Sequence, residues 1–80
     1  MHCTNIQFTV KSARQADDIC AICAKYYHTA KVTSVGYIGS IYHSAPAIIR
    51  CTYEDWFHAQ NAWKRLVTEL CRKGYGDCIH

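Results

Sequence analysis

Residues 4–11 set Ile6, Phe8 and Val10 at alternate positions with Asn5, Gln7, Thr9 and Lys11 between them, the period of a strand with one buried face. Ser12 and Gln15 follow in the S-x-x-Q spacing, whose hydroxyl and amide satisfy the free N–H groups of a helix start. The period then lengthens and predicts a helix from Ser12 to about His28. Ala16, Ile19, Cys20, Cys23, Tyr26 and Tyr27 form its apolar stripe, with Arg14, Asp18 and Lys25 opposite. From Lys31 to His43 the alternation returns, rich in β-branched and aromatic residues. Tyr37 and Tyr42 have opposite parity there, so Gly39 suits a bulge or, with Ser40, a hairpin tip. The reading adopted is one long strand that turns at Ser44-Ala45-Pro46, because proline cannot donate within a paired central strand. A third strand, Ala47 to Tyr53, places Ala47, Ile49, Cys51 and Tyr53 on one side and Ile48, Arg50 and Thr52 on the other.

Asp55, alone or in a Thr52-x-x-Asp55 box, caps a second helix with the apolar stripe Trp56, Ala59, Trp63, Leu66, Val67 and Leu70. Arg72-Lys73 before Gly74 is a stop signal. The order β-α-β-β-α predicts an α+β domain of the ferredoxin-like plait, with two helices on one face of an antiparallel sheet and both tryptophans in the core. Tyr75 to His80 leaves room for one short final edge strand. The alternative is a three-stranded sandwich whose carboxy-terminal segment wraps round without pairing.

Eighty residues fit one domain, 1–80, and an aromatic share of 12% argues against a disordered tail. No run approaches the about 18–20 apolar residues of a membrane span, and Met1 to Lys11 alternates instead of forming a signal-peptide core. A soluble, cytoplasmic protein is expected. In that compartment the six cysteines read as free thiols packed as small hydrophobes.

Cys20-Ala-Ile-Cys23 has redox spacing, yet it begins about two turns into the predicted helix, beyond reach of the amino-terminal dipole that acidifies such thiols. Two core cysteines are the simpler reading. A zinc site would join Cys20 and Cys23 to Cys71, Cys78 or His80, but the tail Cys71-x6-Cys78-x-His80 lacks a second close pair of ligands. No metal and no cofactor are expected. Histidines 2, 28, 43, 58 and 80 offer bases and the cysteines offer nucleophiles, but no spacing fixes a partner for either, so no enzyme is expected. Lys11-Ser12-Ala13-Arg14 could meet an anion at a helix start but lacks the glycines of a phosphate loop. RNA-binding modules of this element order stack bases on sheet aromatics, whereas this open face would show Asn5, Gln7, Thr9, Ile48, Arg50 and Thr52.

Nine Lys plus Arg against six Asp plus Glu give a charge of +3, a modest excess whose placement matters more than its size. At about 100° per residue, Asn61, Lys64, Arg65, Thr68 and Arg72 share the outer face of the second helix with Phe57 at its margin. As a merely solvated face it would carry Arg65–Glu69 and Glu69–Lys73 pairs. Arginine beside an exposed aromatic is also the composition of an interface anchor. The expectation is a small non-enzymatic binding module that docks on a larger host protein or nucleoprotein complex through Phe57, Asn61, Lys64, Arg65, Thr68 and Arg72. An inhibitor or modulator encoded by a phage-type mobile element and aimed at a host nucleic-acid-handling complex, such as a defence system, fits that description. The alternative is direct nucleic-acid binding by the same stripe, and the third reading is a zinc-stapled or thiol-active protein. The chain could act as a monomer or a homodimer, because an unpaired sheet edge and few charges both favour self-pairing.

Overall fold

The computed structural model describes residues 1–36 and 45–76. The described chain is a small α+β unit in the order β1 (His2–Val10), α1 (Ala13–Tyr26), β2 (Thr29–Val35), β3 (Ala45–Tyr53) and α2 (Trp56–Arg72). The sheet is antiparallel with order β1-β3-β2. β1 and β2 both run against β3, so they are parallel to each other, and α1 is the crossover between them.

The alternation read from the sequence sets the layers. Ile6, Phe8, Val10, Ala47, Ile49 and Cys51 turn to the helices and are buried. Asn5, Gln7, Pro46 and Arg50 are exposed on the other face, and Ile48 is half-buried there. α1 contributes Ala16, Ile19, Ile22 and Cys23, and α2 contributes Ala62, Leu66 and Leu70.

Both caps form where expected. The Ser12 hydroxyl accepts from Gln15 N–H at 3.1 Å, while the Gln15 side chain reaches back to Lys11 N–H at 2.6 Å. Asp55 accepts from His58 N–H at 2.8 Å; Thr52 takes no part in that cap, because its hydroxyl meets Thr29 across the sheet at 2.6 Å. Gly74 adopts φ 81°, the left-handed conformation that lets Gly74 N–H reach Cys71 O and Tyr75 N–H reach Leu70 O.

Three expectations need correction. Pro46 lies inside β3, opposite Thr9, not in a turn with Ala45. Its carbonyl accepts from Gly36 N–H at 2.7 Å, so its nitrogen faces the same side, just where β2 has ended and no donor is needed. The approach is close enough that a Cβ on Gly36 would fall 2.9 Å from Pro46 Cδ. Second, Trp56, the first residue of α2, is 73% exposed, and of the two tryptophans Trp63 alone packs against the core. Third, α1 ends at Tyr26, with Tyr27 N–H closing on Cys23 O, which frees His28 N–H to donate to Thr52 O and start β2 earlier than Lys31. β2 also carries a register irregularity that the sequence did not signal, between Val32 and Ser34, where Thr33 donates its hydroxyl to Ile48 O. The expected course of β2 through Tyr37, Gly39, Ser40 and His43 lies outside the described residues, as do residues 77–80 of the final edge strand expected within Tyr75 to His80; Tyr75 and Gly76 are not in a strand.

The exposure difference has a direct test. Leu66→Ala should lower unfolding free energy in urea by about 2–5 kcal/mol through loss of buried apolar contact. Trp56→Ala should change it by less than about 0.5 kcal/mol, as surface substitutions do.

Candidate functional site

α2 divides into three faces. Ala62, Leu66 and Leu70 point into the core; His58 and Glu69 turn towards α1; and Phe57, Asn61, Lys64, Arg65, Thr68 and Arg72 are all exposed. The six residues singled out from the sequence therefore share one side of one rigid element. Lys64, Arg65, Thr68 and Arg72 line a shallow groove of about 280 Å³ with Tyr26 and Glu69. Asn61 and Arg65 line a second of about 260 Å³ with Lys25, Tyr26 and His58. Phe57 is 68% exposed beside Trp56, so the first turn of α2 offers two large aromatics to solvent.

What holds this face in place is a set of contacts between α2 and the end of α1. Glu69 accepts from the Tyr26 hydroxyl at 2.6 Å and from Lys25 Nζ at 3.0 Å, with Lys73 at 3.8 Å. The expected Arg65–Glu69 pair is not formed, because Tyr26 and Lys25 already occupy the carboxylate. Hydrogen bonding from Tyr26 and Lys25 holds the Glu69 carboxyl below its usual range. The same contacts push the Lys25 ammonium and the Tyr26 hydroxyl above theirs.

His58 adds a second tie. Its Nδ1 accepts from Glu54 N–H at 3.0 Å, so the neutral ring carries its proton on Nε2, which donates to Tyr26 O at 2.9 Å. The His28 ring lies 4.9 Å away. His58 is thus a structural link, and sequence spacing gave it no role.

With Glu69 committed to α1, none of Lys64, Arg65 and Arg72 makes an ion pair among the described residues. Among the described residues, the outer face of α2 is a cationic surface beside the Glu69 carboxylate, which is already engaged. Tyr26, Lys25, Glu69 and Trp56 belong to its setting and were not legible as such, since they depend on how α1 and α2 meet. A second basic feature lies on the open sheet face, where Lys31 and Arg50 are direct cross-strand partners. Like charges so placed repel, and Arg50 turns its guanidinium to Cys3 Sγ at 3.4 Å.

Cys23 and Cys51 are buried, Cys20 is half-buried, and Cys3 and Cys71 are exposed. Contact with Cys51 and burial push the Cys23 thiol far up, and burial raises that of Cys20, so neither resembles an acidified nucleophile. Among the described residues no three His, Cys, Asp or Glu side chains gather as a metal site. Cys78 and His80 lie outside those residues.

Comparison with known proteins leaves this surface to its own chemistry: no protein family, curated protein or solved structure matches the chain.

Two measurements check the site's electrostatics. The depressed Glu69 carboxyl contributes stability that is present above the ordinary carboxylate range and lost as pH falls through its lower folded value. Wild type should therefore be more stable than Glu69→Gln at neutral pH, and the difference in urea midpoint should close on acidification. In a native thiol titration, Cys3 and Cys71 should react before Cys20, while Cys23 and Cys51 should react only on unfolding.

Proposed function

We propose that the protein is a non-enzymatic binding module that docks the outer face of α2 on an acidic surface of a larger protein. The observation that carries this reading is the set of exposed cations at Lys64, Arg65 and Arg72, which make no ion pair among the described residues while Glu69 is held by α1. Trp56 and Phe57 at the start of the same helix supply aromatic anchors next to the charge. The charges would speed and orient encounter with an acidic partner, and the aromatics would slow release.

We read the fold as a ferredoxin-like plait. β1 and β2 flanking an antiparallel β3, with α1 as the crossover, support that assignment. A compact chain with a cationic helix fits an inhibitor or modulator of a host nucleic-acid-handling complex, of the kind mobile elements encode, docked on an acidic surface of one of its proteins.

A second reading, direct nucleic-acid binding, draws on the Lys31–Arg50 pair as well as the helix. The two readings separate on salt. Phosphate contacts would give a mobility shift at micromolar protein that weakens steeply between about 50 and 200 mM salt. Protein docking gives no shift, and capture of a host partner is lost in a Lys64→Glu, Arg65→Glu, Arg72→Glu variant whose circular dichroism matches wild type. Unchanged capture by that variant would overturn the assigned face.

A further inference from the structure

We propose that the outer face of α2 receives an extended acidic segment of the partner, one that carries an apolar side chain at one end. This inference rests on the docking reading above and names the form of the partner. The two shallow grooves on this face share Tyr26 and Arg65 as walls, so they are successive stretches of one furrow between the last turn of α1 and α2. Lys25 and Arg65 line one stretch, and Lys64, Arg65 and Arg72 line the other. Cations along a furrow are met by the side chains of a single narrow stretch of chain, whereas a broad folded surface rests on the rims.

Spacing sets what the segment must carry. A helix rises about 1.5 Å per residue, so Arg65 and Arg72 stand about 10 Å apart along α2, and Phe57 stands about 12 Å before Arg65. An extended chain advances about 3.3 Å per residue. Carboxylates about three residues apart therefore reach both arginines, and a side chain about four residues further on reaches Phe57. Phe57 is 68% exposed there and Trp56 is 73% exposed, a pair of aromatics whose cover by an apolar group is favourable. Asn61, exposed between Phe57 and Arg65, offers its amide to the backbone of the segment.

Charge complementarity favours a peptide over a nucleic-acid strand. The Glu69 carboxylate stands in the wall of the furrow, and its bonds from Tyr26 and Lys25 hold it in the ionised form. A polynucleotide carries a negative charge at every nucleotide, about 3.4 Å of duplex axis apart on each strand, so it has no neutral stretch to lay against that carboxylate. A peptide can set carboxylates at Arg65 and Arg72 and an uncharged residue beside Glu69. The match is thus to an interrupted pattern of negative charge, which a protein sequence can supply and a phosphate backbone cannot.

Fluorescence polarisation of the full chain with a labelled peptide tests this. The probe carries two glutamate pairs about three residues apart and a phenylalanine about four residues beyond them, with serine and glycine elsewhere. It should bind at micromolar protein and lose about tenfold in affinity to Arg65→Glu, whose circular dichroism should match wild type. Phe57→Ala should weaken the peptide about fivefold, yet leave unchanged the binding of a peptide with alanine in place of the phenylalanine. Absence of binding, or equal loss for the two peptides in Phe57→Ala, would overturn the proposal. So would a single-stranded oligothymidine that binds more tightly than the peptide at about 150 mM salt. Host capture separates this inference from the reading beneath it. A peptide that fails while capture is still lost in the triple charge variant makes the partner a folded acidic surface and overturns the extended segment alone; capture unchanged by that variant removes both.

Discussion

Because β3 hydrogen-bonds to β1 on one side and to β2 on the other, its position as the middle strand decides the rest of the described structure. β1 and β2 must be parallel, and strands in that relation cannot be joined by a tight turn. The chain between them has to cross a face of the sheet, and α1 is that crossing. Once α1 covers the β2 side, α2 has room only beside it, over β3 and towards β1. Among the described residues two helices cover three strands, and Ala59 and Trp63 line a groove beside Thr4 and Ile6 of β1.

The same crowding explains the charge pattern. α1 ends where α2 passes, so Lys25 and Tyr26 meet Glu69 and His58. That meeting takes the carboxylate of the region out of reach of Arg65, one turn along its own helix. Local spacing would have neutralised part of the basic stripe through an intrahelical pair, and tertiary contact removes that neutralisation. A surface of this kind is produced by folding: in an isolated α2 peptide, Glu69 would be available to Arg65 and Lys73 alike.

Much of this was legible in the chain itself. The alternation of Ile6, Phe8 and Val10 and of Ala47, Ile49 and Cys51, the caps at Ser12 and Asp55, and the stop at Gly74 are local signals, and each is met in the fold. The outer face of α2 was legible because it needs only helical periodicity. Pro46 was misread because the cost of a proline depends on which side its nitrogen faces, and that is set by where β2 stops. Trp56 was misread because a helical stripe says which side a residue lies on, not whether the sheet extends beneath it. Ile22 and Ala62 were left out of the predicted stripes although both are buried. Glu69 and His58 took their roles from residues more than thirty positions away, a relation that no local pattern encodes.

The packing of the core carries one more consequence. Among the described residues, six of the fifteen buried apolar side chains are alanine or cysteine: Ala16, Ala45, Ala47, Ala62, Cys23 and Cys51. Small side chains let two helices lie close on a narrow sheet, but each removes less apolar area from water than leucine or isoleucine would. A chain of this length already buries a modest fraction of its surface, so its native state rests on a thin thermodynamic margin. Any species that binds only the native form adds to that margin by mass action. Occupancy therefore governs persistence: the free chain would be the short-lived form in a cell, open to unfolding and proteolysis, and the bound chain the form that accumulates.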